Sequence, residues 1–204
     1  MSDAYLKAAA TRRTNYVLAN KSSVPDNKIE AIVQACVLHN PSTFNTQSGR
    51  AVIVTGAAHA KLWKLVSESQ LKTLEQGPRR TLVESRLKAF AGAYGSIMFF
   101  EDQAVIDAIT VKMPMFTKQF PTWSSNSAGM LQVAVWTALS AEGLGASLQH
   151  NGAYSDELVA DIHKTFSLPT TWTSTAIMPF GDPAAPPAEK TFGPIEERVK
   201  FIKE

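Results

Sequence analysis

The sequence predicts an α+β domain that is mostly helical and has a few short strands. The chain has 204 residues, 45% of them hydrophobic, which is enough to fill one sizeable core. Helical periodicity and helix breakers alternate along most of it. Short apolar runs at 51–55, 95–101 and 171–178 have the composition of strands. We therefore expect residues 1–204 to form a single domain.

The first two predicted helices lie in the first forty residues. Residues 3–12 have a helical pattern. A second helix is expected from the start signals in Ser23-Val24-Pro25-Asp26 to about His39. Asn40-Pro41 then ends it, because a residue before proline is disfavoured in helical conformation.

The middle of the chain alternates strands with polar helices. After strand 51–55, the predicted elements are helices 58–76 and 79–92, strand 95–101, and helix 103–112. Gly77-Pro78 separates the first two of these helices, and Met113-Pro114 ends the last. We expect helices 58–76 and 79–92, rich in lysine and glutamate, to form an outer lobe.

A long apolar helix is predicted from about Ser125 to Ala141. Its apolar residues surround most of the helix surface: Met130, Leu131, Val133, Val135, Trp136 and Leu139. Such a helix must be buried on several sides, and a second copy of the chain can supply the extra cover. A homodimer is therefore expected; the central helix of a monomer is the alternative.

The last third contains two glycines, a helix, a strand and an extended tail. Gly143 and Gly145 lack the third glycine and the preceding strand of a dinucleotide fingerprint, so their expected role is helix termination and tight turning. A helix near 155–166 and the alternating strand 171–178 follow. The proline-rich run 182–187 is predicted to be an extended connector.

Composition and charge exclude several function classes. With 20 basic and 18 acidic residues, the net charge of +2 gives no broad surface for nucleic acid. The N-terminal stretch lacks a basic region followed by an apolar one, and no apolar run is long enough to span a bilayer. The four histidines are scattered without ligand spacing. We expect a soluble cytoplasmic protein that binds no metal, membrane or nucleic acid.

The single cysteine, Cys36, excludes an intrachain disulfide and fits a reducing compartment. Cys36 and His39 have the spacing of a nucleophile and base on one helix face. Cys36 also belongs to an apolar stripe at helical spacing with Ile29, Ile32, Val33 and Val37. The stripe favours core packing, since free cysteine is among the most buried residue types.

Two polar clusters are candidates for ligand binding. Segment 39–50 offers hydroxyls and carboxamides immediately before a buried strand, although the same residue types serve ordinary turns. Thr11-Arg12-Arg13-Thr14-Asn15-Tyr16 places two guanidiniums and a hydroxyl at the end of the first helix, which suits a phosphate or a carboxylate. A basic helix end that offsets the helix dipole is the simpler interpretation of this cluster.

Five motifs follow one another along the chain: Arg12-Arg13-Thr14, the Pro41-Ser42-x-x-Asn45-x-Gln47 loop, Phe99-Phe100-Glu101-Asp102, the Glu142 to His150 run, and Pro179-Phe180-Gly181-Asp182-Pro183. In this order they make the chain resemble the nitroreductase superfamily of flavin enzymes. The resemblance is to a small branch with fungal fatty-acid-repression nitroreductase-like proteins and a bacterial copper-inducible nitroreductase. Each motif is weak alone, but their order spans almost the whole chain.

The resemblance implies a central, mainly antiparallel sheet flanked by helices, in an intertwined homodimer with two flavin sites at the interface. It also implies FMN as cofactor and NADH or NADPH as electron donor. The substrates would be nitroaromatic compounds or quinones, reduced by ping-pong hydride transfer through the flavin N5. No protein side chain is then needed as a nucleophile or acid–base catalyst.

The same resemblance assigns the FMN contacts residue by residue. Arg12 and Thr14, with Arg13 close by, match positions that bind the phosphate and ribityl chain. The loop that reaches the flavin of the other subunit corresponds to Pro41, Ser42, Thr43 and Asn45, followed by Gln47. The segment beside the flavin N5 corresponds to Leu148, Gln149, His150 and Asn151, where a backbone N–H would orient the ring. Lys190 matches a phosphate-binding basic residue near the C-terminus.

Two departures from the family pattern concern these contacts. The second basic residue expected after Lys190 is replaced by Phe192, which leaves Arg198 as a substitute. No lysine lies near Arg12 to contact the flavin N1 and C2 carbonyl. An aromatic substrate wall has two sets of candidates, with core packing as the alternative for the aromatic residues. They are the aromatic residues Trp123, Phe116, Phe120 and Tyr94, and the segment Met113-Pro114-Met115-Phe116.

Two other functions are compatible with the same residues. The chain could bind FMN as a redox-responsive regulator or flavin store with little turnover. A flavin-free hydrolase using Cys36 and His39 is the third interpretation, and it predicts a colourless protein that thiol alkylation inactivates.

Overall fold

The computed structural model describes residues 2–203. The helices are α1 (Ser2–Thr11), α2 (Asp26–His39), α3 (Gly56–Lys72), α4 (Pro78–Ala91), α5 (Gln103–Lys112), α6 (Phe120–Ala141) and α7 (Asp156–Phe166). The strands are β1 (Gly49–Thr55), β2 (Gly95–Asp102), β3 (Gly145–Ala146) and β4 (Trp172–Gly181). Single 3₁₀ turns occupy Thr43–Asn45, Pro114–Phe116 and Asn151–Ala153.

The four strands form one sheet in the order β1-β2-β4-β3, and every neighbouring pair is antiparallel. The expected α+β class and antiparallel sheet are therefore confirmed. β2 lies in the middle and is buried on both faces, with alternate residues in two cores. Ile97 and Phe99 pack on the face that contains α2 and α6, whereas Met98 and Phe100 pack on the face that contains α3, α4 and α7.

Several element boundaries differ from the sequence prediction, and one short strand was not predicted. α6 begins at Phe120, earlier than predicted, because the first turn of a helix tolerates Pro121. β4 continues beyond residue 178 through Pro179 to Gly181, although proline is usually excluded from strand interiors. The carbonyl of Pro179 accepts a hydrogen bond from the Ser147 amide (3.2 Å), which ties the residue after the short strand β3 to the sheet. That two-residue strand, β3, was predicted only as a turn.

The two helices expected to form an outer lobe, α3 and α4, pack with α7 on one face of the sheet, and Pro78 lies in the first turn of α4. His59 of α3 is buried, only 3% exposed, where this lobe meets β2. Its Nε2 lies 3.2 Å from the Ala91 carbonyl, and its Nδ1 lies 3.1 Å from Ser96 Oγ. Because a carbonyl only accepts, Nε2 carries the proton of the neutral ring and Nδ1 accepts from Ser96. Trp63 Nε1 donates to the same hydroxyl at 2.9 Å.

Acid should destabilise the fold through His59. Burial lowers the pKa of this imidazole from its ordinary 6.5, outweighing the hydrogen bonds to Ala91 and Phe90 that raise it. As the pH falls, His59 of the unfolded chain therefore takes up a proton at a higher pH than His59 of the folded protein does. Stability is fully present above pH 6.5 and falls as the pH drops from there towards the lowered pKa of the folded state, by at most about 1.4 kcal/mol per pH unit. Urea unfolding between pH 7.5 and 5.5 should show this loss in the wild type and a weaker loss in His59→Gln; equal slopes would contradict the assignment.

No helix among residues 2–203 is long and apolar enough to cross a membrane.

Candidate active site

The N-terminal segment after α1 runs alongside β3 and the C-terminal connector. Thr14 forms a parallel bridge with Ala146, and the Asn15 amide donates to the Ala146 carbonyl at 2.9 Å. Further along, Ala19 and Asp182 are joined by a backbone hydrogen bond of 2.9 Å. Two clusters predicted separately, the Arg12 to Thr14 segment and the run that ends at Asn151, are thus placed side by side.

Arg12 is the most distinctive residue of this region. Its guanidinium carbon lies 4.2 Å from the ring centroid of Trp136 on α6. Its Nη1 is buried and has no hydrogen-bond partner within residues 2–203. Burial, followed by repulsion from Arg13, lowers the pKa of Arg12 below its ordinary value. A half-buried cation beside a second cation and without a carboxylate is suited to binding an anion.

The other predicted cations lie on the C-terminal tail. Arg13 donates a hydrogen bond to the Ala188 carbonyl, which brings the tail to within two residues of Lys190 at this point. The Lys190 ammonium lies 5.1 Å from the ring centroid of Phe192. Arg198 donates to the Gly193 carbonyl at 3.3 Å, within the tail itself. The structure therefore places Lys190 near the arginine pair, whereas it shows no contact between Arg198 and that pair.

The predicted segment beside the flavin N5 lies against β4. Gln149 exchanges two backbone hydrogen bonds with Ile177, at 2.8 and 2.7 Å, so its amide is occupied. His150 comes next, with an exposed side chain, and its backbone N–H has no partner among the described residues. Leu148 packs on the core, and Asn151 begins a 3₁₀ turn. The His150 amide is thus a free donor of this segment.

The loop after α2 has an unusual backbone. Phe44, Asn45 and Gln47 have φ angles of 52°, 55° and 51°. Such left-handed conformations disfavour most residues with a side chain, so surrounding contacts must hold them in place. The Gln47 amide donates to Ser42 Oγ at 2.9 Å. Exposed Pro41 and partly buried Thr43 complete the predicted set.

Aromatic side chains hold the tip of this loop against the start of α6. Phe44 lies 5.8 Å from Phe116, 6.1 Å from Phe120 and 6.2 Å from Trp123, measured between ring centroids. Phe44 is itself 52% exposed. Three of the four predicted wall residues thus meet in one cluster. Tyr94 follows the alternative of core packing, because it packs on Phe180 and donates to Asp26 at 2.7 Å, away from this cluster.

Within one chain the loop and the arginines lie at different places along α6. The loop packs on Trp123, and Arg12 packs on Trp136, thirteen residues further along the same helix. At 1.5 Å per residue this separation is about 20 Å. A loop and an arginine pair that contact the same small molecule at close range would therefore come from two copies of the chain.

A polar cavity of about 480 Å³ opens beside His150, and Gln132, Thr173 and Thr175 are among its lining residues. Buried Glu101 also lines it. One carboxylate oxygen of Glu101 accepts from Ser48 Oγ at 2.5 Å and from Ser124 Oγ at 2.7 Å, and the other has no partner within residues 2–203. This cavity is adjacent to the segment predicted to contact the flavin.

Cys36 and His39 do not form a catalytic pair. Cys36 is half-buried and packs with Ile32 and Val37 against the core, as the apolar stripe predicts. Burial raises the pKa of the Cys36 thiol, which disfavours the thiolate that a nucleophile requires. His39 is exposed at the end of α2. The geometry gives no support to the hydrolase interpretation.

The donor set fits the FMN that the sequence resemblance implies. The phosphate would meet the unpaired Arg12 guanidinium, and the ribityl chain would meet hydroxyls and backbone amides. Ser147 supplies a fully buried hydroxyl without a partner among the described residues, next to β3. Buried polar atoms without a partner are rare in folded proteins, and three of the six among the described residues belong to Arg12, Trp136 and Ser147, which suits this region to a bound polar group.

Sequence reasoning missed two residues of this region. Trp136 was assigned only to helix packing, and Phe44 was passed over inside its own loop. Phe44 could have been noticed as a large apolar residue in a polar turn. Trp136 gave no local signal, since its contact with Arg12 joins positions far apart in the chain.

The sheet, the central helix α6 and the unpaired arginine near β3 are those of an antiparallel α+β protein with a candidate anion site at the edge of its sheet. The chain belongs to the nitroreductase family, whose family profile matches residues 9–182.

Its relatives lie in the branch expected from the motifs. It is 35% identical to the putative nitroreductase HBN1 and 34% identical to the nitroreductase FRM2 of Saccharomyces cerevisiae, each over 192 residues and 92% of both chains. Nitroreductase CinD from Lactococcus lactis, solved in complex with chloramphenicol, has 36% identity and a TM-score of 0.85. That match covers 98% of this chain and 100% of CinD. A putative nitroreductase in complex with FMN from Desulfovibrio desulfuricans shares the fold, with a TM-score of 0.69, 16% identity and coverage of 97% and 96%.

Proposed function

We propose that this protein is an FMN-dependent oxidoreductase that uses NADH or NADPH to reduce nitroaromatic compounds or quinones. The observation that carries the proposal is the unpaired Arg12 guanidinium, which packs on Trp136 and lies two residues before the bridge from Thr14 to β3. Bound FMN would accept a hydride from the nicotinamide and pass electrons to the second substrate.

The relatives support the substrate class. CinD has been solved with chloramphenicol and with 4-nitrophenol, both nitroaromatic compounds, and with nicotinic acid, which carries the pyridine ring of a nicotinamide. The shared fold of the FMN complex supports the choice of flavin.

Each group of residues has a distinct role in this proposal. Arg12 and Thr14 bind the phosphate end of FMN, with Arg13 and Lys190 adding positive charge nearby. The His150 amide would donate to the flavin ring and orient it, since the preceding amide is already bonded to Ile177. The His150 side chain is not required for that bond.

We further propose that the active protein is a homodimer. Met130 and Val133, in the middle of α6, remain 40% and 47% exposed, so one chain does not cover the apolar surface of this helix. Five large apolar side chains of the tail are 61–86% exposed: Phe192, Ile195, Val199, Phe201 and Ile202. A groove of about 940 Å³ between α2 and the edge strand β1 offers a complementary surface to the tail of a second copy.

In the dimer, the loop from Pro41 to Gln47 of one copy would approach the FMN held by Arg12 of the other. Within one chain, the loop and Arg12 contact α6 at positions about 20 Å apart, whereas a loop supplied by the second copy would not be held at that distance. Phe44 and the cluster with Phe116, Phe120 and Trp123 would then form an aromatic wall for the substrate.

Steady-state kinetics test the proposed reaction. Initial rates of NADH and NADPH oxidation should rise with added 4-nitrophenol or a benzoquinone. Double-reciprocal plots at several acceptor concentrations should be parallel, because the donor leaves before the acceptor binds. A protein that retains FMN but oxidises neither donor would instead favour a flavin-binding regulator or store.

A further inference from the structure

Trp136 forms an unusual contact with the candidate phosphate site. It is partly buried on α6, and its ring packs against the core made by α2, α6 and the sheet. Arg12 lies over this ring at 4.2 Å from the centroid. The ring belongs to a rigid central helix, whereas Arg12 follows the end of α1, a helix without a buried residue.

The Arg12 side chain has no other means of orientation. It forms no hydrogen bond and no ion pair with any residue from 2 to 203, and its neighbour Arg13 turns instead to the Ala188 carbonyl. An arginine has several rotatable bonds, so an unrestrained side chain loses entropy when it binds a phosphate. An aromatic face restrains the guanidinium while leaving its N–H groups free.

Arg50 and Trp172 provide an internal comparison. The Arg50 guanidinium lies 5.8 Å from the Trp172 ring, but it also pairs with Asp102 at 3.0 Å and donates to the Gln47 carbonyl at 2.7 Å. Hydrogen bonds already fix Arg50 and neutralise its charge. Among residues 2–203 the Arg12 side chain has neither a hydrogen bond nor an ion pair, so the Trp136 ring is the contact that orients it, and its charge remains available to a ligand.

We infer that Trp136 is a positioning residue that holds Arg12 ready for the phosphate and so makes the site select FMN over riboflavin, which lacks the phosphate. This inference rests on the proposed binding of FMN. It predicts an effect on the phosphate-bearing ligand alone, since the flavin ring and the ribityl chain are common to both ligands.

The test measures the dissociation constants of FMN and riboflavin for the flavin-free protein by quenching of flavin fluorescence. Trp136→Leu removes the aromatic face, and its FMN preference, the ratio of the two constants, should fall by about five- to thirtyfold, the usual range for a partly desolvated cation–aromatic contact. Trp136→Phe keeps a face and should retain most of the preference. Trp136→Gln is a second variant without a ring, with the same expected loss as Trp136→Leu.

Trp172→Leu is the matched control, because it also removes a tryptophan that lies over an arginine. Its FMN preference should equal that of the wild type. In Trp136→Leu, equal losses of FMN and riboflavin affinity would leave the ratio unchanged and show that Trp136 only supports the fold. Wild-type affinities for both ligands would equally overturn the inference. A wild-type protein that binds neither flavin would overturn the proposed function too, whereas a wild type that binds both without preference would overturn the positioning role alone.

Discussion

Replacement of Arg12 by alanine should weaken FMN binding by about ten- to a hundredfold, because hydrogen bonds to a charged group contribute about 1.5–3 kcal/mol. The guanidinium has no partner within residues 2–203, so its donors are free to bind the phosphate in the intact protein. Titration of the flavin-free variant with FMN, followed by fluorescence, measures the loss.

Arg79→Ala is the control for this substitution. Arg79 is exposed in the first turn of α4, in the outer lobe, and its replacement should leave the FMN affinity unchanged. The flavin-free Arg12→Ala protein should unfold at the wild-type urea concentration or above it, since the change removes a half-buried cation that Arg13 repels. Equal FMN affinities for Arg12→Ala and Arg79→Ala would show that the phosphate binds elsewhere.

Val133→Asp should convert the proposed dimer to a monomer. In one chain this side chain is 47% exposed, so a carboxylate there can stay hydrated and the monomer should still fold. In a dimer that covers α6, the same carboxylate would be buried without a partner, which costs several kcal/mol. Light scattering coupled to size exclusion reports the mass of each species.

Leu82→Asp is the control, with a carboxylate at a position of α4 that is 53% exposed in the outer lobe. It should remain dimeric. The monomeric Val133→Asp protein should also lose FMN affinity, because the loop of a second copy would be missing from each site. A wild-type protein that is monomeric at micromolar concentration, or a Val133→Asp variant that stays dimeric, would contradict the proposed assembly.

Local sequence patterns were sufficient to predict most of the helices and strands. The stripe that includes Cys36 predicted which face of α2 packs on the core, and Asn40-Pro41 marked the end of that helix. Errors arose where tertiary contacts override local preference. Pro179 lies inside β4, where it is paired with Ser96 and its carbonyl accepts from the Ser147 amide, and β3 is too short to show a strand pattern.

The candidate site was predicted by motif order and not by geometry. The motifs pointed to Arg12 and to the segment around His150, and the bridge between Thr14 and Ala146 places these segments together. No rule of spacing predicts that Trp136 supports Arg12, or that Phe44 adopts a left-handed conformation among three other aromatic rings. Residue type alone is also insufficient, because Tyr94 is aromatic like the residues of the wall but packs on Phe180 in a different part of the fold.

The absorbance spectrum of the purified protein, recorded before and after anaerobic NADH or NADPH and again after a nitroarene or quinone, tests the central claim most directly. The proposed function predicts flavin bands that bleach with the donor and promptly recover with the acceptor. A colourless protein that cannot take up added FMN would contradict it.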